Sequence, residues 1–160
     1  MRAPESKILT REQLAQLAPM WRAAGKQVVL TNGCFDLLHV GHLRYLQEAR
    51  RLGDLLVVGV NSDESVRQLK GNTRPLLPEK ERAELLAGLE CVDFVTIFEE
   101  PTAVALVNLV QPAYYAKGGD YTEQDLPESE AVRAHGGFVV ILPLYPERST
   151  SALVERIRNG

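Results

Sequence analysis

Apolar residues recur along the chain in two alternating rhythms, helical stripes and short β-branched runs. Leu14, Leu17 and Trp21 recur at helical spacing within residues 10–24, and Thr10 with Gln13 forms a capping-box start, which predicts an N-terminal helix. Beyond Gly25, Val28-Val29-Leu30-Thr31 reads as a buried first strand that stops at the Asn32-Gly33 turn signal. Leu43, Leu46, Ala49 and Leu52 then line one face of a helix over residues 39–52, closed by Gly53. The alternation repeats: a strand over 55–60, a short helix capped by Ser62, a polar Pro-containing loop over 71–78, and a helix from Pro78 to about Glu90. Residues 93–98 predict a third strand, 101–110 a helix, 113–116 a fourth strand, 138–142 a fifth, and Ser149 opens a closing helix. Short apolar strands alternating with helices predict an α/β domain, a doubly wound and mostly parallel five-stranded sheet with helices on both faces. The 160 residues read as a single domain, with 1–26 an N-terminal helical extension.

In open α/β sheets ligands collect beyond the carboxyl ends of the strands, where strand order reverses. The polar clusters at residues 32–42, 117–121 and 148–151 follow strands one, four and five, and 70–75 lies in the connection after strand two. Fold and chemistry therefore point to one rim of the sheet.

Composition narrows the partners. A hydrophobic fraction of 45% suffices for a core, while 24% charged residues and a net charge of -3 give no overall basic excess for nucleic acid or anionic lipid. Phosphate binding has to be local. Two cysteines, Cys34 and Cys91, are too few for a disulfide-dependent fold, and neither a signal-like N-terminus nor a spanning apolar run is visible. A cytoplasmic protein without membrane attachment is the expectation.

His39-Val40-Gly41-His42 sets two imidazoles three residues apart at a helix start, beside unpaired backbone N–H groups, and Gly41 leaves the backbone open to close approach by phosphate oxygens. Taken alone such a pair also fits two solvated or core histidines; the preceding Asn32-Gly33-Cys34-Phe35-Asp36 on the same loop favours a site. Cys34 reads as a small hydrophobe rather than a nucleophile, and Asp36 as structural more than catalytic. Arg82 either reaches a phosphate or pairs with Glu79 or Glu81. A zinc site at His39 and His42 lacks the further ligands such sites use, and no resident metal ligands are assigned.

Gly33-x-Phe35-Asp36 followed by His39-x-Gly41-His42 resembles the signature of the cytidylyltransferase-like nucleotidyltransferases, a Rossmann-like group. Lys70-Gly71-x-x-Arg74-Pro75, Lys117-Gly118-Gly119-Asp120-Tyr121 and Ser149-Thr150-Ser151 are arranged as in the adenylyltransferases that make ADP-heptose from D-glycero-β-D-manno-heptose 1-phosphate. The similarity runs over residues 26–157. Many relatives carry Ser-Thr-Thr at the last motif, so a hydroxyl survives at each position, and many are fused to a sugar kinase. The resemblance implies an enzyme that transfers AMP from ATP to a sugar 1-phosphate, with Mg2+ carried on the nucleotide phosphates. The sugar phosphate would come from a separate kinase. A homodimer is compatible with the resemblance, and the sequence leaves it open.

The same resemblance implies roles. His39 and His42 would contact the triphosphate, with His42 at the α-phosphate, and Lys70 would neutralise the α-phosphate or the incoming sugar phosphate. Asn32, Gly33, Cys34, Phe35, Gly41, Lys117, Gly119, Asp120, Arg148, Ser149, Thr150 and Ser151 would bind nucleotide; Asp36, Asn61, Arg74 and Arg82 would bind the acceptor. The attacking phosphate monoester, with a second pKa of about 6, is largely dianionic at neutral pH and needs no general base. Alignment and positive charge are what such a site has to supply. Relatives that use CTP with glycerol 3-phosphate, or ATP with pantetheine phosphate or flavin mononucleotide, are alternatives within the enzymes. A class I aminoacyl-tRNA synthetase is disfavoured by length and acidity. A nucleotide sensor without catalysis is disfavoured by retention of both histidines with Lys70.

Overall fold

The computed structural model describes residues 1–119, 121–143 and 149–160. Its centre is a five-stranded sheet of β1 (Val28–Gly33), β2 (Leu55–Asn61), β3 (Phe94–Phe98), β4 (Tyr114–Gly118) and β5 (Phe138–Leu142). The spatial order is β3-β2-β1-β4-β5 and every ladder is parallel. From β1 the chain winds outward through β2 to β3, then returns past β1 to β4 and β5. The carboxyl ends of β1 and β4 thus flank the reversal point, where a crevice is expected.

Parallel strands buried on both faces need helices above and below. Side chains alternate accordingly: Val29, Leu56 and Val58 pack with Leu46 and Ala49 of α2 (Val40–Arg51) and Leu86 of α4 (Glu79–Ala87). On the other face Leu30, Val57 and Tyr115 meet Leu14 of α1 (Arg11–Ala23), Leu106 and Val110 of α5 (Val104–Val110), and Val132 of α6 (Ser129–Ala134). α3 (Asp63–Lys70) follows β2, and α7 (Thr150–Arg158) closes the chain.

Several expectations shift. β1 runs on through Asn32 and Gly33, because they ladder against Gly59 and Val60 of β2, and that pairing outweighs the turn preference of an Asn-Gly step. The predicted N-terminal helix is α1, with the Thr10/Gln13 capping box in place. The residues before it also join the sheet: Ile8 bridges Val95, Leu9 N–H donates to the Val95 carbonyl at 2.8 Å, and the buried Lys7 ammonium donates to the carbonyls of Leu89 and Val92. The six-residue α6 was not predicted; it is too short for periodicity to announce it, and its formation depends on burying Val132 against α5 and the sheet. No helix among the described residues is long and apolar enough to cross a membrane.

Candidate active site

The first crossover sets the chemistry. α2 opens at His39, whose extended backbone (φ -140°, ψ 175°) makes it the N-cap, and the orphan N–H groups of a helix start seek acceptors. Here the acceptors are imidazoles: Gly41 N–H donates to His39 Nδ1 at 3.1 Å, and His39 N–H donates to His42 Nδ1 at 3.4 Å. In this reciprocal cap Nδ1 of each ring accepts from a backbone N–H of the helix start. The rings stack with centroids 3.9 Å apart, and the Phe35 ring stands edge-on to His42 at 5.4 Å. Burial, then the neighbouring His39, then Lys70 push the His42 pKa down to about 4, against a hydrogen bond to the Leu37 backbone that works the other way. His42 is therefore neutral at physiological pH. Phe35 holds a left-handed backbone conformation at φ 48°, and a Cβ on Gly33 would come within 3.1 Å of its ring, so glycine is what lets the aromatic fold back over the strand end.

Beside this cap lies a cavity of about 710 Å³, within the ~300–1,000 Å³ range of small-molecule sites. His39, Gly41 and His42 line it together with Lys70 from the end of α3 and Ser149, Thr150 and Ser151 from the start of α7. Residues from the first, second and last crossovers converge there, as the strand-rim argument required. Ser149 caps α7 by accepting from Ala152 N–H at 3.0 Å, and the Thr150 hydroxyl donates to the Leu37 carbonyl at 3.1 Å, tying the last helix to the entry of α2. The floor is Asn32, Gly33, Cys34 and Phe35 from the end of β1 with Lys117 and Gly118 from β4. Lys117 donates to the Asn32 carbonyl at 3.3 Å; burial lowers its pKa while Glu128 opposes the shift. Gly119, at φ 97°, turns the chain behind Gly118 and donates to the Leu142 carbonyl. Asp120 and Arg148 lie outside the described residues.

The four residues assigned to the acceptor separate. Arg82 is fully buried and pairs with neither Glu79 nor Glu81; its guanidinium donates to the carbonyls of Cys34 (2.7 Å), Asn61 (2.8 Å) and Leu77 (2.9 Å) and pairs with Asp63 (2.8 Å). A cation inside the fold needs all its donors satisfied, and strand-end carbonyls supply that need. Arg74 is likewise spent on Asp36, at 2.9 Å, and the Asp36 carboxylate also accepts from Leu76 N–H (2.7 Å) and Leu77 N–H (3.2 Å). The pair pins the 71–78 loop beneath the site, and Arg74 is not on the cavity wall although Asp36 is. Asn61 does line the cavity, donating to Ser65 Oγ at 2.8 Å. Burial raises the Cys34 pKa and keeps it a thiol.

Sequence reasoning missed several wall residues, among them the polar Tyr45, Thr102 and Glu128. Tyr45, from α2, donates to the Ala116 carbonyl (2.9 Å), so its partner Thr31 must donate to it (2.6 Å), and β1, β4 and α2 are locked together. Thr102 follows β3, and Glu128 precedes α6. No local signal marks them, since each reaches the cavity only through a crossover. Among the described residues no group of three or more His, Cys, Asp or Glu side chains is placed to hold a metal ion. The donor set of imidazoles, amines and hydroxyls suits anions.

A rim of this kind on a parallel sheet, with a histidine-capped helix start facing lysines and hydroxyls, belongs to an enzyme, a nucleotidyltransferase. The chain belongs to the cytidylyltransferase-like family, whose model matches residues 30–156. The bifunctional protein HldE of Syntrophotalea carbinolica is 52% identical over 153 residues, and that of Trichlorobacter lovleyi 49% over 156 residues. The matches cover 96% and 98% of this chain but 31% and 32% of those proteins, so the chain spans about a third of the length of these curated relatives. Among solved structures, a lipopolysaccharide core biosynthesis protein from Thermoplasma volcanium aligns with a TM-score of 0.62 at 32% identity, over 75% of this chain and 97% of the other. A pantoate-beta-alanine ligase from Francisella tularensis aligns at 0.60 over 90% of this chain and 68% of the other; at 13% identity it speaks for the fold alone.

Proposed function

We propose that the chain transfers AMP from ATP to D-glycero-β-D-manno-heptose 1-phosphate, giving ADP-heptose and pyrophosphate. The observation that carries this reading is the single cavity shared by His39, His42, Lys70 and the Ser149–Ser151 helix start. A phosphate oxygen of the sugar bonds to the α-phosphorus of ATP as the bond to the pyrophosphate oxygen breaks, and no proton has to be removed from the nucleophile. The two imidazoles offer ring donors to the α-phosphate as charge gathers on it, and Lys70 brings together two anions that otherwise repel. The start of α7 suits the β- and γ-phosphates, using its hydroxyls and helix N-terminus. Magnesium, carried by the nucleotide, supplies further charge neutralisation.

The test is pyrophosphate release, crossing ATP, CTP and GTP with heptose 1-phosphate, glycerol 3-phosphate and pantetheine phosphate. The ATP and heptose 1-phosphate pair should dominate, and His42→Ala should slow its turnover by about 10²-fold, as for loss of one transition-state donor. Release only with CTP and glycerol 3-phosphate would move the chain to the cytidylyltransferases, and no release with any pair would make it a sensor.

A further inference from the structure

The transfer as described uses the cationic and hydroxyl sides of the cavity and leaves two acidic wall residues, Asp125 and Glu128, without a task; the Asp125 carboxylate is taken up by the N–H and hydroxyl of Thr122. Glu128 is only 5% exposed, yet it lines the cavity. Its Oε1 accepts from Ala103 N–H at 3.0 Å. The single hydrogen of the neighbouring buried Tyr115 hydroxyl goes to Asn32 Oδ1, so that hydroxyl does not occupy the carboxylate. A carboxylate offers about four acceptor positions, and the anchoring bond from Ala103 takes one of them. Lys117, whose charge is coupled to Glu128, stands on the Asn32 carbonyl beside them.

A fixed negative group is costly in a cavity that admits a triphosphate and a phosphate monoester, because like charges repel strongly where water is scarce. It is tolerable where it meets neutral donors. The two faces of the sheet say which end it meets: Ala103, its anchor, opens α5 on one face, whereas Thr150 is tied to Leu37 at the entry of α2 on the other. Glu128 is thus held on the side away from the helix start suited to the nucleotide phosphates. We propose that Glu128 is a specificity-determining residue that accepts hydrogen bonds from vicinal hydroxyls of the acceptor sugar. The Ala103 N–H holds its carboxylate in place. The inference rests on the transfer proposed above and adds to it the reason for selecting a polyhydroxylated acceptor. Glu128 does not touch the reacting phosphates, so its effect falls on acceptor KM rather than on kcat.

Glu128→Gln keeps the volume and a carbonyl oxygen able to accept from Ala103 N–H, so the fold should persist; a thermal melt checks this. Its acceptor KM should rise about ten- to a hundredfold, the scale of lost hydrogen bonds to a charged group, with KM for ATP unchanged. Sugar phosphates lacking one hydroxyl should lose less in Glu128→Gln than in the unaltered protein. An unchanged acceptor KM overturns the assignment. So does a loss that follows 2′-deoxy- and 3′-deoxy-ATP, which would hand the carboxylate to the ribose. Should the unaltered protein release no pyrophosphate with any pair, the transfer itself falls. Calorimetric titration of sugar 1-phosphate into both proteins then decides for Glu128, equal affinities refuting it and weaker binding by Glu128→Gln upholding it.

Discussion

Replacing Arg82 with methionine keeps much of the side-chain length and removes every donor from a site with no exposure. Four acceptors lose their partner: the carbonyls of Cys34, Asn61 and Leu77, and the carboxylate of Asp63. Asp63 has 28% of its side chain exposed and regains water, and the Leu77 loop is half-buried, so neither carries the main cost. The carbonyls of Cys34 and Asn61, at the ends of β1 and β2, carry most of it. At about 1–3 kcal/mol for each of the two stranded buried acceptors, the loss is about 2–6 kcal/mol. A domain of this size loses about 2–4 °C in Tm per kcal/mol, which gives a fall of about 10 °C. Circular dichroism melts with parallel steady-state kinetics measure both consequences: lower stability, and a lower kcat because the strand ends that carry Cys34 and Asn61 loosen. Arg82→Met protein that melts like the unaltered chain while its KM for the sugar phosphate rises would refute the structural assignment and restore Arg82 as a substrate contact.

Two further outcomes follow from the same geometry. His42 has a folded-state pKa of about 4, below its ordinary 6.5, so on acidification the unfolded chain takes up its proton first. Its contribution is intact above pH 6.5 and drains away down to about pH 4, by at most ~3 kcal/mol. Urea unfolding across that interval should show a flatter pH dependence in His42→Gln, and parallel curves would contradict the burial argument. Ser149→Ala removes the cap on Ala152 N–H and should cost about 1 kcal/mol of stability. It should also raise KM for ATP but not for the acceptor; a stability loss with unchanged KM for ATP would reduce Ser149 to a cap.

The candidate site was legible in the chain to the extent that its parts are local. His39, Gly41 and His42 stand out because three-residue spacing at a helix start puts them on one face, and Ser149 because a hydroxyl before an apolar stripe is a cap. Lys70 was found by its motif, and the structure brings it to the same cavity. Arg74 and Arg82 were assigned to the acceptor through the same resemblance that singled out Lys70, and nothing local separates the three. What separates them is the company each keeps: Arg74 meets Asp36, 38 residues away, and Arg82 meets a carbonyl 48 residues away.

The sequence by itself determined the order and type of the elements, the parallel character of the sheet and the helix starts suited to phosphate. Those features depend on neighbours within a turn of helix or a few residues of strand. Only the tertiary structure decided the order β3-β2-β1-β4-β5, the absorption of Arg82 into the fold, and the arrival of Tyr45, Thr102 and Glu128 on the cavity wall. Each of these is fixed by where a crossover returns the chain to the sheet, and that depends on packing between segments distant in sequence. The reactive loop is written locally, while the selection of what enters beside it is written in the packing.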